Sequence, residues 1–209
     1  MAQITTAPPS EQITEKISYD EFLKKYSGVH AEWVDGEVIQ LMTASDRHQD
    51  LVRWLITLLS LFVEAYDLGW LRPAPFNMQL PHLNRGREPD ILFVSADRLH
   101  IVRQVQLAEA ADLAIEITSP ESMGRDRGDK FVEYEAAGVR EYWLIDPDRK
   151  QAEFYQLTET GRYRLATFDS QGCFHSSVLP GFWLKVDWLW QEPLPKVMGI
   201  VRQLGFLEG

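Results

Sequence analysis

The chain has 209 residues, enough for one domain with a substantial core, and its 45% hydrophobic and 25% charged residues are ordinary for a globular protein. A net charge of −10 argues against a general nucleic-acid binder, although a locally basic groove would be compatible with it. The single cysteine, Cys173, excludes an internal disulfide and a zinc site built from several cysteines. We expect a cytoplasmic protein without membrane contact, because the sequence has no signal peptide and no apolar run of membrane-spanning length.

The predicted elements begin after a polar segment. Residues 1–16 include two adjacent prolines and are predicted to be a disordered tail, which leaves residues 17–209 as a single domain. Ser18 and Glu21 have the spacing of a capping box, and apolar residues follow at helical spacing. This pattern predicts a short first helix.

A hairpin is predicted next, because Asp35-Gly36 lies between two alternating runs and is typical of a type I′ turn. That turn pairs Val34 with Glu37 and places Glu32 and Glu37 on the same face of the hairpin. The two glutamates are either partly solvated surface groups or groups that point toward a polar site. The pattern leaves both interpretations open.

The longest predicted helix runs from Asp46, as its cap, to about Asp67, with leucines at helical spacing on one face. His48 lies in its first turn, where it is either a ligand or base, or an ordinary histidine at the edge of the core. Gly69 is expected to end the helix. Residues 71–80 contain prolines and alternate in polarity, which predicts an edge strand.

The middle of the chain predicts a βαβ unit. Residues 84–87 are predicted to be a loop, and two apolar runs, Asp90–Ser95 and Asp112–Thr118, are predicted to be strands buried on both faces. A helix over 124–137 and a strand over 141–146 follow, so we expect the strands on either side of that helix to be parallel.

The remainder predicts antiparallel strands over 151–157, 163–169 and 176–179, and a last amphipathic helix within 194–207. Together the elements predict an α/β fold with a mixed β-sheet flanked by helices and an antiparallel C-terminal extension.

Charged residues interrupt the two central apolar runs. Asp90 opens the first run and Glu116 lies in the middle of the second. A buried carboxylate is unfavourable by several kcal/mol unless it is paired or binds a metal. Two carboxylates on neighbouring strands offer the hard oxygen ligands that suit Mg²⁺ or Mn²⁺, and Lys130 on the next helix can stabilise a transition state or position a water.

Each of these residues also has a structural explanation. Asp90 can cap a turn, and Lys130 can be a solvated helix residue. Glu116 can form a buried ion pair, and its candidate partners are Arg125, Arg127 and Lys130. Three nearby acidic residues are expected at the surface: Glu121, Asp126 and Asp129.

Pro89-Asp90, then Glu116, then a lysine resembles the PD-(D/E)XK nuclease superfamily. The chain is most similar to its Uma-type family of "putative restriction endonucleases", first described as a domain of unknown function. The similarity covers about residues 18–190 and includes Glu32, Asp35-Gly36-Glu37, His48, Pro89-Asp90, Glu116, Ser119-Pro120, Asp126, Lys130, Tyr134, Gly138-Val139, Glu141-Tyr142-Trp143-Leu144 and Asp146-Pro147. The superfamily's lysine normally lies two residues after the acid, where this chain has Thr118, so the resemblance implies that Lys130 has taken its place.

The resemblance implies a restriction-endonuclease-like core and a homodimeric, Mg²⁺-dependent endonuclease that hydrolyses DNA phosphodiester bonds. Asp90 and Glu116 would bind the metal and Lys130 would assist catalysis, with Glu32, Glu37 and His48 as further candidates. Phosphate contacts are predicted for four arginines that flank the site in sequence: Arg85, Arg87, Arg125 and Arg127.

Two other functions fit the same residues. The first is a non-catalytic interaction module that keeps the nuclease fold, which the acidic net charge and Thr118 favour. The second is a metal-dependent hydrolase of a small phosphorylated substrate, which needs no basic groove.

Overall fold

The computed structural model describes residues 13–41, 45–120 and 122–206. The strands of these ranges are β1 (Ile13–Lys16), β2 (Ala31–Val34), β3 (Glu37–Gln40), β4 (Gly69–Pro73), β5 (Asn77–Leu80), β6 (Arg85–Arg87), β7 (Ile91–Ser95), β8 (Gln106–Leu107), β9 (Leu113–Ile117), β10 (Glu141–Asp146), β11 (Gln151–Leu157), β12 (Tyr163–Leu165), β13 (Cys173–His175) and β14 (Trp183–Lys185). The helices are α1 (Tyr19–Tyr26), α2 (Asp46–Ala65), α3 (Met123–Arg125), α4 (Phe131–Ala137) and α5 (Val197–Leu204). A π-helical turn, Asp126–Lys130, joins α3 to α4.

The strands form two mixed sheets and a small antiparallel pair. The first sheet has the order β1-β3-β2-β6-β5-β8, the second has the order β12-β11-β10-β9-β7-β4, and β13 pairs with β14. In the second sheet β9 and β10 are parallel, while β11 is antiparallel to both of its neighbours, β10 and β12. The predicted α/β class, with helices against a mixed sheet and an antiparallel extension, is therefore confirmed, although the strands divide between two sheets.

The two sheets pack on each other and helices cover their other faces. The apolar cluster between the sheets contains Met78, Leu80, Leu92, Val94, Ala114, Tyr134, Tyr142 and Leu144. Helices α2 and α5 cover the second sheet through a cluster that includes Leu55, Phe62, Ile115, Trp143 and Val201. Helix α1 covers the first sheet through Tyr19, Phe22, Trp33 and Val38. None of the helices in the described ranges is both long and apolar enough to cross a membrane.

Several elements form as their local sequence predicted. Ser18 and Glu21 form both hydrogen bonds of the capping box at the start of α1. The hairpin pairs Val34 with Glu37, as the Asp-Gly turn requires. Gly138 ends α4 with a φ of +83°, a conformation that glycine adopts without a steric penalty.

The first half of the chain differs from the prediction at several places. Residues 13–16 form β1 and pair with β3, so the predicted tail is wrong for this segment, while residues 1–12 lie outside the described part of the chain. The side chain of Ser45, not Asp46, caps α2, and the helix ends at Ala65.

Residues 71–80 do not form one strand, because a turn divides them between β4 in the second sheet and β5 in the first. The predicted loop at residues 84–87 is also wrong, since β6 lies between β2 and β5. Gly86 makes this possible, because an added Cβ would lie 2.5 Å from the Tyr19 ring and 2.7 Å from Asn77 Oδ1.

Two predictions in the C-terminal part are corrected as well. Strand β12 ends at Leu165, and the strand predicted over 176–179 is replaced by β13 and β14 on either side of that segment. Helix α5 ends at Leu204, and residue 207, where the predicted helix ended, lies outside the described ranges.

Gly69, the first residue of β4, offers a test of how closely this strand packs against residues 94–96. Its φ is +150°, and a Cβ there would lie 2.1 Å from the Val94 carbonyl oxygen and 2.9 Å from the Ala96 nitrogen. Gly69→Ala is therefore expected to lower the free energy of unfolding by about 2 kcal/mol or more, as measured by urea denaturation.

Gly199→Ala is the matched control, because an added Cβ in this turn of α5 meets no described atom within 4 Å. Alanine favours a helix over glycine by about 0.5–1 kcal/mol, so this variant should be slightly stabilised. Equal stability of the two variants would contradict the packing of β4 described here.

Candidate active site

The ammonium group of Lys130 lies at the centre of a buried cluster between the two sheets, and its side chain is 2% exposed. Its Nζ lies 2.8 Å from Glu116 Oε1, 2.9 Å from Glu32 Oε1 and 3.4 Å from Asp126 Oδ1. Glu116 belongs to β9 of the second sheet and Glu32 to β2 of the first. One lysine thus connects the two sheets by charge.

The π-helical turn carries two residues of the cluster, Asp126 and Lys130. Both Asp126 and Lys130 of this turn are buried, and the Tyr142 hydroxyl donates a hydrogen bond of 3.0 Å to the Asp126 carbonyl oxygen. Lys130 and Tyr134 both donate to Glu116 Oε1, at 2.8 and 2.9 Å. Burial raises the pKa of the Tyr134 phenol well above its usual value, so the hydroxyl remains a donor.

Asp90 lies beside Glu116 because β7 and β9 are antiparallel neighbours. Their register pairs Ile91 with Ile115, and one further step along it sets Asp90 opposite Glu116. The Ile117 N–H donates a hydrogen bond of 2.7 Å to Asp90 Oδ2, which fixes the carboxylate at the strand edge. The Asp90 side chain is 20% exposed, so this residue forms the accessible side of the cluster.

His48 holds the same oxygen of Asp90 from the start of α2. Its Nε2 lies 3.1 Å from Asp90 Oδ2, and its buried Nδ1 has no hydrogen-bond partner among the described residues. Burial alone would lower the pKa of His48. The hydrogen bond to Asp90 and the charges of Asp90 and Asp126 outweigh burial, so the pKa is raised above its usual value.

A chain of alternating charges continues from Glu32 into the first sheet. Arg87, which is 2% exposed, donates to Glu32 Oε2 at 2.7 Å and binds Glu133 through two hydrogen bonds of 2.7 and 3.0 Å. Arg85 donates to Glu133 Oε1 at 2.7 Å and contacts Asp35 at the hairpin turn. The cluster is thereby tied to the hairpin at the surface.

The two glutamates around Lys130 have opposite electrostatic environments. Burial would raise the pKa of Glu32, but the charges of Lys130, Arg87 and Arg125 outweigh it and lower that pKa to about 2. The pKa of Glu116 is instead raised well above its usual value by burial and by the charges of Asp126, Asp90 and Glu32, in spite of Lys130. The pKa of Lys130 is raised by its carboxylate neighbours against the effect of burial, so its ammonium stays charged.

The predicted residues Asp90, Glu116, Lys130 and His48 therefore come together, whereas Glu37 lies apart from these contacts. The Glu37 carboxylate forms an ion pair of 3.5 Å with Lys16, and its side chain is 36% exposed. Of the two interpretations of the hairpin glutamates, Glu37 fits the first, a partly solvated surface group. Glu32 fits the second, a group that points toward a polar site.

Two predictions about charged neighbours are wrong. Asp126 was expected at the surface but is buried, while Asp129 is exposed as expected and Glu121 lies outside the described residues. Arg87 was predicted to contact phosphate, but it is buried and engaged by Glu32 and Glu133.

The other three arginines that were predicted to contact phosphate also form ion pairs within the chain. Arg85 binds Glu133 at 2.7 Å, Arg127 binds Glu153 at 2.6 Å, and Arg125 lies 3.6 Å from Glu32. The sequence signal that would have identified the Arg87 pair is the hairpin face, because an inward Glu32 requires a cation on the strand beside it.

The donor atoms of this cluster fit a hard divalent cation. Within the described part of the chain, every hydrogen bond to Asp90 goes to Oδ2 and every hydrogen bond to Glu116 goes to Oε1, so the other oxygen of each remains open. No three His, Cys, Asp or Glu side chains of the described ranges are placed to hold a metal ion together. Two carboxylates completed by water are typical of Mg²⁺ and not of a structural zinc site.

Comparison with known proteins gives a family and a fold. The family model Uma2, described as "Putative restriction endonuclease", matches residues 19–187. The crystal structure of a "putative nuclease belonging to DUF820" from Anabaena variabilis ATCC 29413 superposes with a TM-score of 0.67 over 83% of this chain and 97% of that one, at 20% sequence identity. This similarity confirms the predicted restriction-endonuclease-like fold. The comparison with curated proteins gives no match.

Glu116→Gln separates a functional carboxylate from a structural ion pair. Because the folded protein holds a proton on Glu116 to a higher pH than the unfolded chain does, ionisation of Glu116 destabilises the fold at neutral pH. We expect Glu116→Gln to raise the free energy of unfolding at pH 7, without added metal, by about 1 kcal/mol. The gain should disappear as the pH falls toward about 4, where the unfolded glutamate also binds a proton.

Asp112→Asn, at the residue immediately before the same strand, is the control. Burial alone would raise the pKa of Asp112, but hydrogen bonds from Ser95 and Arg98 lower it, so its ionised form stabilises the fold. This variant should lose about 2–3 kcal/mol at pH 7 in the same urea denaturation. A comparable loss in Glu116→Gln would show that Glu116 is a structural partner of Lys130.

Proposed function

Because the chain belongs to the Uma2 family of putative restriction endonucleases, we propose that it is a metal-dependent endonuclease that hydrolyses DNA phosphodiester bonds. The observation that carries the proposal is the 2.8 Å contact between Lys130 Nζ and Glu116 Oε1. Lys130 is twelve residues from the position that the superfamily's lysine normally takes, Thr118, yet it reaches the acid that a nuclease lysine must accompany.

Asp90 and Glu116 are the residues that would hold Mg²⁺ or Mn²⁺. Their open oxygens provide hard ligands, and the surplus of carboxylates around Lys130 favours a further positive charge. When bound, such an ion supplies a water of lowered pKa and offsets the negative charge that develops on a phosphoryl oxygen.

The remaining residues of the cluster would position these groups. Lys130 carries a charged ammonium that can stabilise negative charge on the scissile phosphate in the transition state. His48 and the Ile117 N–H hold Asp90 Oδ2, and Tyr134 holds Glu116 Oε1. Such hydrogen bonds keep the opposite oxygens directed to a ligand. Glu37, which contacts Lys16, receives no role in this scheme.

Asp90 and His48 mark the side from which a phosphodiester would approach. Their side chains are 20% and 13% exposed, whereas Lys130 and Glu116 lie behind them. The net charge of −10 and the arginines bound within the chain favour local, weak contacts with DNA over a broad basic interface. The cytoplasmic location and the homodimer remain predictions, and light scattering in solution tests the second.

A non-catalytic interaction module is the second candidate, and one observation favours it. Lys130 contacts both Glu32 and Glu116, which is also the arrangement of a structural ion-pair network. This function and the nuclease differ in whether the site binds a divalent cation and cleaves DNA.

Cleavage of supercoiled plasmid tests the proposed activity. We expect nicking that requires Mg²⁺ or Mn²⁺, stops with EDTA and falls at least about 100-fold in Glu116→Gln, because the metal loses one of its two carboxylates. Agarose gels of the time course measure the rate.

Glu135→Gln is the matched control, since Glu135 is a largely buried carboxylate on α4 that accepts from the Tyr163 N–H and pairs with Arg162. It should cleave as the wild type does. A wild-type protein that is inert with both metals, under conditions in which it is folded, would contradict the nuclease function.

Metal binding can be measured without cleavage. If the dissociation constant is about 1 mM, 10 mM Mg²⁺ should raise the free energy of unfolding by about 1.4 kcal/mol. Asp90→Asn and Glu116→Gln should each abolish the increase, while Glu135→Gln should keep it. A metal effect of equal size in all four proteins would exclude Asp90 and Glu116 as ligands.

A further inference from the structure

Glu32 and Glu116 hold the same ammonium group by different means. Glu32 uses its two oxygens separately, with Oε1 at 2.9 Å from Lys130 and Oε2 at 2.7 Å from Arg87. Glu116 uses a single oxygen, Oε1, for both Lys130 and Tyr134. Glu32 is therefore fixed at both oxygens, whereas Glu116 is fixed at one.

The surroundings of Glu32 also keep it immobile and charged. It is fully buried in β2, where the ladder to β6 sets it across from Arg87 on one face of the first sheet. Arg87 is in turn held by two hydrogen bonds to Glu133. The charges of Lys130, Arg87 and Arg125 outweigh burial and lower the pKa of Glu32 to about 2, so it is ionised at neutral pH.

We propose that Glu32 is the permanent partner of Lys130 and Glu116 the exchangeable one, so that Glu32 is a positioning residue for the lysine of the nuclease site. In this arrangement Glu116 is free to turn its charge toward a cation at Asp90 while Lys130 stays in place. Arg87 acts through Glu32, which gives a role to an arginine that is too buried to contact DNA. The part of the inference that concerns catalysis rests on the proposed nuclease function.

The lysine lies on a helical turn after the strand that carries Glu116, and this position gives a physical reason for a second ionic partner. Lys130 extends from a π-helical turn, which is not part of the second sheet, and its long side chain reaches Glu116 on that sheet. A long, flexible side chain loses rotamer entropy when it is fixed, and a second ionic contact on the opposite sheet offsets that loss. Glu32 provides this contact.

Proton exchange of the Lys130 ammonium tests the inference in the metal-free protein, independently of activity. The measurement uses ¹H–¹⁵N spectra of lysine Nζ groups, with the Lys130 signal assigned by its absence in Lys130→Met. We expect a slowly exchanging Lys130 signal in the wild type and in Glu116→Gln. Exchange should be at least about tenfold faster in Glu32→Gln, because the ammonium is no longer held at the first sheet.

Glu32→Asp is the second variant if Glu32→Gln does not fold, which circular dichroism shows directly. It keeps the charge but withdraws the carboxylate by one methylene, so its exchange rate should lie between those of the wild type and Glu32→Gln. Loss of the Lys130 signal in Glu116→Gln, with retention in the Glu32 variants, would overturn the inference by making Glu116 the permanent partner.

Cleavage kinetics give the second measurement. We expect Glu32→Gln to lower kcat at least about tenfold while the Mg²⁺ concentration for half-maximal rate changes less than about twofold, and Glu32→Asp to recover part of kcat. Asp112→Asn removes a buried carboxylate with arginine partners outside the site and should leave kcat unchanged. An equal loss of kcat in Asp112→Asn would mean that Glu32 acts only through stability. If the wild type is inert, the proposed function fails, and the exchange measurement alone decides whether Glu32 holds Lys130.

Discussion

The Lys130 ammonium group bridges Glu116 of one sheet and Glu32 of the other at 2.8 and 2.9 Å, and the candidate site is built around this contact. A charge removed from water is unfavourable by several kcal/mol unless other charges and hydrogen bonds surround it. The cluster meets this condition with carboxylates from two strands and a π-helical turn. The turn, the hairpin and the position of β6 can all be understood as the means of holding that one group.

The same cluster is unbalanced in a way that a structural ion pair is not. Glu32, Glu116 and Asp126 all lie within 3.4 Å of Lys130 Nζ, and the pKa of Glu116 is raised by burial and by the charges of Asp126, Asp90 and Glu32 in spite of that lysine. A surplus of carboxylate oxygens beside an accessible Asp90 is typical of a site that receives a cation, and it agrees with the family to which the chain belongs.

Local patterns predicted those parts of the fold that local forces determine. The Asp35-Gly36 turn set the hairpin register, and the strand-helix-strand spacing set the parallel pair β9 and β10. The candidate site residues Asp90 and Glu116 were recognisable because a carboxylate in an apolar run is unfavourable unless it is paired or binds a metal. Gly86 and its neighbours were not recognisable as a strand, because their short, polar segment is stabilised by contacts with α1 and β5 that are distant in sequence. Asp126 could have been placed inward from the sequence, because it lies four residues before Lys130 and therefore shares its helix face.

The most direct test of the account is the position of a bound cation. Crystals grown with Mn²⁺ and measured at a wavelength where manganese scatters anomalously should show a peak between Asp90 and Glu116, with Lys130 still in contact with Glu32. No peak at this position at saturating Mn²⁺, with Lys130 still spanning Glu32 and Glu116, would contradict the account. The cluster would then be a structural salt bridge at the interface of two sheets.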